Sequence, residues 1–172
     1  MNNRTDIKFR LSTFIVIFTM YSVSSFGQDT TATDKKISYS FITEHGLCLG
    51  NDITGYEGIL VNGVRINRTQ DEIGIGTGCE YGITGILAVP IFANYRHYFP
   101  SKTNLKLFLN FSAGTRIGSL YLESTWKSGL YTVVTTGFTV KAFSFSSGFY
   151  VKSFDGMFFS GIEIKLGCTF KK

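Results

Sequence analysis

The stretch over residues 157–170 constrains this chain more than any other. Its even positions run Phe158, Ser160, Ile162, Ile164, Leu166, Cys168 and Phe170, apolar apart from one serine. The odd positions between them run Phe159, Gly161, Glu163, Lys165, Gly167 and Thr169, small, polar or charged apart from one phenylalanine. Successive side chains of a β-strand leave on opposite faces, so the pattern makes one greasy face and one wet face. A helix of period 3.6 would scatter Glu163 and Lys165 among the isoleucines. The run exceeds the ~5–6 residues of an ordinary strand and reaches the ~9–11 tilted residues that cross a bilayer.

The same alternation recurs upstream. Strands are expected over residues 37–50, 58–68, 72–83, 86–99, 105–117, 130–142 and 143–154, which with the last makes eight. Residues 51–57, Thr69-Gln70-Asp71, Pro100 to Asn104 and Asp155-Gly156 carry the Asn, Asp, Gly, Ser and Pro that turn a chain, and Asp-Gly is a strong hairpin signal. The longest connection, residues 118–129, holds Tyr121 and Trp126. Pro90 lies inside the fourth segment. Proline lacks the ladder N–H and prefers bulges and edges, so a local bulge is expected there.

Residues 1–27 have the form of a cleaved secretory signal peptide. Arg4, Lys8 and Arg10 precede an apolar core from Leu11 to about Val23, and Ser25-Phe26-Gly27 places small residues before a cut at Gln28. Residues 28–36 read as a disordered lead-in, and residues 37–172 as the barrel domain. No other apolar run approaches the ~18 residues of a membrane helix. The high aromatic share, 16%, with 19 Gly and only 2 Pro, suits a closely packed sheet protein.

An eight-stranded barrel is soluble or membrane-bound according to which face points out. The polar faces hold Glu44, Glu80, Arg96, Lys106, Arg116, Lys141, Lys152, Glu163 and Lys165 among many glycines and serines. Glycines make room for long charged side chains in a narrow lumen and have no purpose on a soluble surface. The opposite faces are long aliphatics and Phe, which would overfill such a lumen and in water would make a patch far above what monomers tolerate. The expectation is therefore an all-β, eight-stranded antiparallel up-and-down transmembrane β-barrel, with outer-membrane lipid as its solvent and every backbone group satisfied by closure. The nine charged residues are expected to form an interior ion-pair network.

An even strand count puts both chain ends on the periplasmic side. Tyr39, Phe41, Tyr98, Phe99, Phe143, Phe145 and Phe170 are then expected at the periplasmic interface, and Tyr81, Tyr121, Trp126, Tyr131, Phe154 and Phe158 at the outer one.

Val89 to Phe99, read as Val-Pro-Ile-Phe-Ala-Asn-Tyr-Arg-His-Tyr-Phe, resembles the PxxxxxRYYF strand of small outer-membrane β-barrel (porin-family-like) proteins of the Bacteroidota, with His97 where a tyrosine is usual. Leu107-Phe108 to Ala113-Gly114 and a signal peptide ending in Phe-Gly-Gln are also similar. The resemblance implies an exported outer-membrane barrel, inserted with the help of the barrel-assembly machinery.

Other chemistries find little support. Cys48, Cys79 and Cys168 have no CxxC spacing and no adjacent histidine, and the alternation puts Cys48 and Cys168 on opposite faces. His45 and His97 have no compact His-x-Ser partner. Gly74-Ile-Gly76-Thr-Gly78-Cys79 lacks the third glycine and the helix of a nucleotide loop. The formal charge of +5 is small and dispersed, against nucleic acid. No cofactor, metal or catalytic set is expected. The leading reading is a monomeric, non-catalytic structural or surface-interaction protein. The alternatives are a narrow pore for small solutes or ions, a lipid-active enzyme, and a soluble lipocalin-like binder.

Overall fold

A computed structural model of the chain describes residues 37–50, 54–82, 85–120 and 125–171. The expected signal peptide, the lead-in and Tyr121 lie outside the described residues. Eight strands follow in order: β1 (Ile37–Gly50), β2 (Gly55–Ile66), β3 (Asp71–Gly82), β4 (Ile86–Tyr98), β5 (Leu105–Leu120), β6 (Lys127–Val140), β7 (Phe143–Phe154) and β8 (Met157–Lys171). Each pairs antiparallel with its neighbour, and β8 returns to β1 to close an all-β barrel.

The stagger of the closed sheet can be read from its partners. Ser40 lies across from Gly63, then Gly74, Asn94, Ser112, Val133, Tyr150 and Gly161, and the circuit returns to β1 at Gly50, ten residues further along. With a rise of about 3.3 Å and a strand spacing of about 4.8 Å, that stagger tilts eight strands by roughly 41°. Strands of twelve to sixteen residues then span at least about 30 Å along the axis, the thickness of a hydrocarbon core. We call the end where β1 begins and β8 finishes the near end, and the opposite end the far end.

The tightest turns have clear causes. Asp155 and Gly156 both take positive φ, 52° and 79°, as the mirror-image two-residue turn requires for a right-twisted hairpin. Lys141 also has positive φ, 56°, at the turn between β6 and β7. This corrects its expected place on the strand: β6 ends at Val140, and Lys141 is exposed outside the lumen. The bulge expected at Pro90 is likewise absent. Thr77 pairs with Ile91 and Glu80 with Ala88 at one constant offset, so no residue is inserted. The ladder to β3 lapses over the intervening positions, while Pro90 keeps its partner Arg116 on β5.

The two faces of each strand have opposite fates. Ile162, Ile164 and Leu166 are 49%, 39% and 64% exposed, while Glu163 and Lys165 between them are 0% and 2% exposed. On every strand the larger apolar face points away from the axis, and most of the charged side chains point in. Glycines fit against the large lumenal side chains. A Cβ on Gly76 would stand 2.3 Å from the Phe92 ring, and one on Gly46 would stand 2.6 Å from Lys165 Cγ. The room expected from the glycines is filled by their cross-strand neighbours.

Candidate functional site

The lumen holds the chemistry of this chain. Among the described residues, five carboxylates (Glu44, Glu57, Glu72, Glu80, Glu163) and five cations (Arg65, Arg96, Arg116, Lys152, Lys165) are buried there. Six of them form one chain of alternating sign. Arg116 meets Glu80 at 2.8 Å, and Glu80 meets Lys152 at 2.6 Å. Lys152 meets Glu57 at 2.5 Å, Glu57 meets Lys165 at 3.6 Å, and Lys165 meets Glu163 at 3.0 Å. The phenol of Tyr131 donates to Glu57. Arg96 pairs separately with Glu44 and also donates from Nε to Asn110. Alternation lets each buried charge face its opposite, the condition under which burial of ions is tolerated.

The rest of the lumen is packed. Phe92 stacks on Tyr131 with ring centroids 4.8 Å apart, and Ile42, Ile59, Val61 and Val133 pack with them. A cavity of about 20 Å³ at the far mouth, lined by Cys48, Glu80, Arg116, Tyr150 and Lys152 among others, has room for about one water molecule.

Charge is unevenly spread. The alternating chain is neutral, and so is the Lys127–Asp155 pair on the far rim. The remaining described charges gather toward the near end, Arg65, Arg68, Arg96, Lys102, Lys106, Lys141 and Lys171 against Glu44, Asp71 and Glu72.

Of the residues singled out from sequence, Glu44, Glu80, Arg96, Arg116, Lys152, Glu163 and Lys165 meet in the lumen. Lys106 faces the lumen near its mouth but makes no ion pair among the described residues, and Lys141 is outside it. Phe99 and Trp126 are exposed at opposite rims, and Phe170 is half-buried beside Phe41 at 6.3 Å. Tyr98 is corrected: it is buried in the lumen, its ring under the Arg65 guanidinium at 4.1 Å. Its even position on β4 puts it in phase with Asn94 and Arg96. Tyr131 and Phe154, also expected at an interface, are buried in the lumen for the same reason of phase.

Sequence reasoning missed Glu57, Arg65 and Glu72. The Asn, Asp, Thr and Gly of residues 51–57 put Glu57 at the end of the expected loop, yet β2 begins at Gly55. Counting back in steps of two from Val61 and Ile59 would have put Glu57 on the lumenal face.

Cys48, Cys79 and Cys168 are free thiols. Cys48 lies in the lumen with Glu57 and Glu163, their ligating atoms within 4.8 Å of one another. The place a metal ion would occupy is already served by ammonium groups, Lys152 at 3.5 Å from the Cys48 sulfur and 2.5 Å from Glu57, and Lys165 at 3.0 Å from Glu163. Both histidines lie on the outward face. His45 bonds the Tyr56 phenol, and His97 bonds Asp71 at 2.7 Å, which also accepts from Tyr95 at 2.8 Å. Among the described residues no serine, threonine or cysteine bonds either ring, so no nucleophile, base and acid are assembled there.

No family model matches this chain, and no curated protein matches it. Among solved structures, the crystal structure of Neisserial surface protein A has the same fold, with a TM-score of 0.54 and 13% identity over 80% of this chain and 98% of that one. The chain has the fold of a small outer-membrane barrel. At 13% identity the likeness speaks for the fold and leaves the role to this chain's own residues.

Proposed function

We propose that this chain is a non-catalytic integral outer-membrane β-barrel with a closed lumen and a structural or surface-interaction role. The observation that carries this reading is the polarity of the wall: an outward apolar belt on strands that span at least about 30 Å, around a lumen filled by ion pairs and packed side chains. In water such a belt would far exceed the few hundred Å² of exposed apolar surface found on monomers, and lipid removes that penalty. In this reading outer-membrane lipid covers the belt, the barrel-assembly machinery inserts it, residues 1–27 direct export, and the chain works as a monomer without nucleic acid. The near end faces the periplasm, as an even strand count implies. The His97–Asp71–Tyr95 cluster then sits at the membrane rim, where polar and aromatic groups are at home. The strand around Arg96 supports kinship with the Bacteroidota barrels it resembles.

A narrow pore is the weaker reading, since the alternating ion pairs and the Phe92–Tyr131 stack leave little space along the axis. The test is outer-membrane fractionation combined with gel migration of unboiled samples. A band in the outer membrane that shifts on boiling is expected. A soluble periplasmic protein that does not shift contradicts the proposal.

A further inference from the structure

We propose that the near mouth of the lumen is an oxyanion site that takes a phosphate group, held by Arg65 and Lys171. Arg65 is buried, yet it has no ion pair among the described residues, although Glu72 lies directly across from it in register. Its Nη2 donates to Gln70 at 2.8 Å and its plane rests on Tyr98, but Nη1 has no hydrogen-bond partner among the described residues. Lys171 Nζ lies 5.5 Å from the centre of the same Tyr98 ring, also without an ion pair among the described residues. Across from Lys171 stands Ser40, and two residues before Lys171 on the same face stands Thr169; neither buried hydroxyl has a hydrogen-bond partner among the described residues. Arg65, Arg96 and Lys106 share the lumenal face toward this end with Lys171, and Glu72 is the carboxylate across from Arg65.

The arithmetic of charge defines the ligand. Glu44 is taken by Arg96, so among the described lumenal residues at this end Glu72 alone opposes Arg65, Lys106 and Lys171. A buried guanidinium nitrogen and buried hydroxyls left unbonded are costly. A water would satisfy the donors but leave the excess charge. A metal ion has the wrong sign. A tetrahedral oxyanion supplies both the acceptors and the charge, and the guanidinium fork matches phosphate geometry. The phosphate of a phospholipid headgroup and free inorganic phosphate share that chemistry. Glu72 acts as a brake on either.

The test uses the full barrel folded in non-ionic detergent and titrated calorimetrically with inorganic phosphate. A second arm uses native mass spectrometry from nanodiscs of phosphatidylglycerol or of phosphatidylcholine. Boiling-sensitive migration checks the fold of each variant. Saturable phosphate binding is expected, weakened at least about tenfold in the doubly substituted Arg65→Gln, Lys171→Gln, unchanged in Lys127→Gln, and tightened in Glu72→Gln. Retention of phosphatidylglycerol alone, with the same dependence on these variants, supports the site and names the headgroup as its source. Binding by neither probe, or binding that Arg65→Gln, Lys171→Gln leaves unaltered, overturns the proposal. If that double variant does not fold, Glu72→Gln decides: tighter binding supports the site, and unchanged binding overturns it.

Discussion

Replacing Glu57 by glutamine tests the account of the lumen most severely. Glu57 is the junction of the alternating chain, with Lys152 at 2.5 Å, Lys165 at 3.6 Å and the Tyr131 phenol donating to it. Without its charge, the ten buried ions become five cations against four carboxylates. Removing one partner of a buried ion pair costs about 3–5 kcal/mol, mostly because the other charge is left behind. Lys152 keeps Glu80 at 2.6 Å and Lys165 keeps Glu163 at 3.0 Å, so the lower end, about 3 kcal/mol, is expected. Breaking an ion pair on the rim instead, with Lys127→Gln opposite half-exposed Asp155, should cost less than about 1 kcal/mol. Reversible urea unfolding of the barrel in lipid vesicles gives both numbers. Adding Lys152→Met to Glu57→Gln restores four against four, and the pair of substitutions should cost at least about 1 kcal/mol less than their sum. A Glu57→Gln barrel within about 1 kcal/mol of wild type, or strict additivity, refutes the reasoning.

Three further outcomes follow from the geometry. Gly76→Ala, whose Cβ would stand 2.3 Å from the Phe92 ring, should destabilise the barrel by about 1–3 kcal/mol, and Phe92→Leu in the same chain should recover part of that loss. Ile164→Arg, near the middle of β8 on the outward face, should cost about 2–4 kcal/mol in a bilayer, and refolding yields should fall with it. Gly156→Ala, at φ 79° with no atom within 4 Å of the added carbon, should cost about 1 kcal/mol through backbone strain alone, measurable by the same unfolding assay.

Much of the fold was legible because a period of two leaves little freedom. Once Ile162, Ile164 and Leu166 share a face, Glu163 and Lys165 must share the other, and a slip of one residue would put both charges into the belt. The hairpin at Asp155-Gly156 was equally plain, since few residue pairs take two positive φ values at low cost. What failed was the reading of residues that obey the alternation while looking like something else. Gly55 suggested a loop, yet it pairs with Gly82 as the first residue of β2, where an added Cβ would meet the Tyr81 carbonyl at 2.5 Å. Pro90 suggested a bulge, but its missing N–H only interrupts the ladder to β3, and the register survives.

The site was legible in kind and less so in membership. Charged residues of lumenal phase had to pair, and most of them do. Glu57, Arg65 and Glu72 escaped because they sit near strand ends, where turn signals compete with the alternation. Tyr98, Tyr131 and Phe154 were sent to the membrane interface on their chemistry, although their phase pointed them inward. An aromatic side chain at a strand end is ambiguous by type, and its parity decides. The near-end excess of cations needed the register, because only pairing shows that Ser40 and Lys171 share one rung while Arg65 faces Glu72.

The central claim is that apolar side chains meet lipid and ionic ones meet each other. The chain has one tryptophan, so Trp126→Phe gives a dark background for single reporters. In vesicles whose acyl chains carry bromine, Ile164→Trp and Leu107→Trp on that background should be strongly quenched, and Tyr131→Trp should stay bright. Strong quenching at position 131 with bright emission at 107 and 164 would contradict the account.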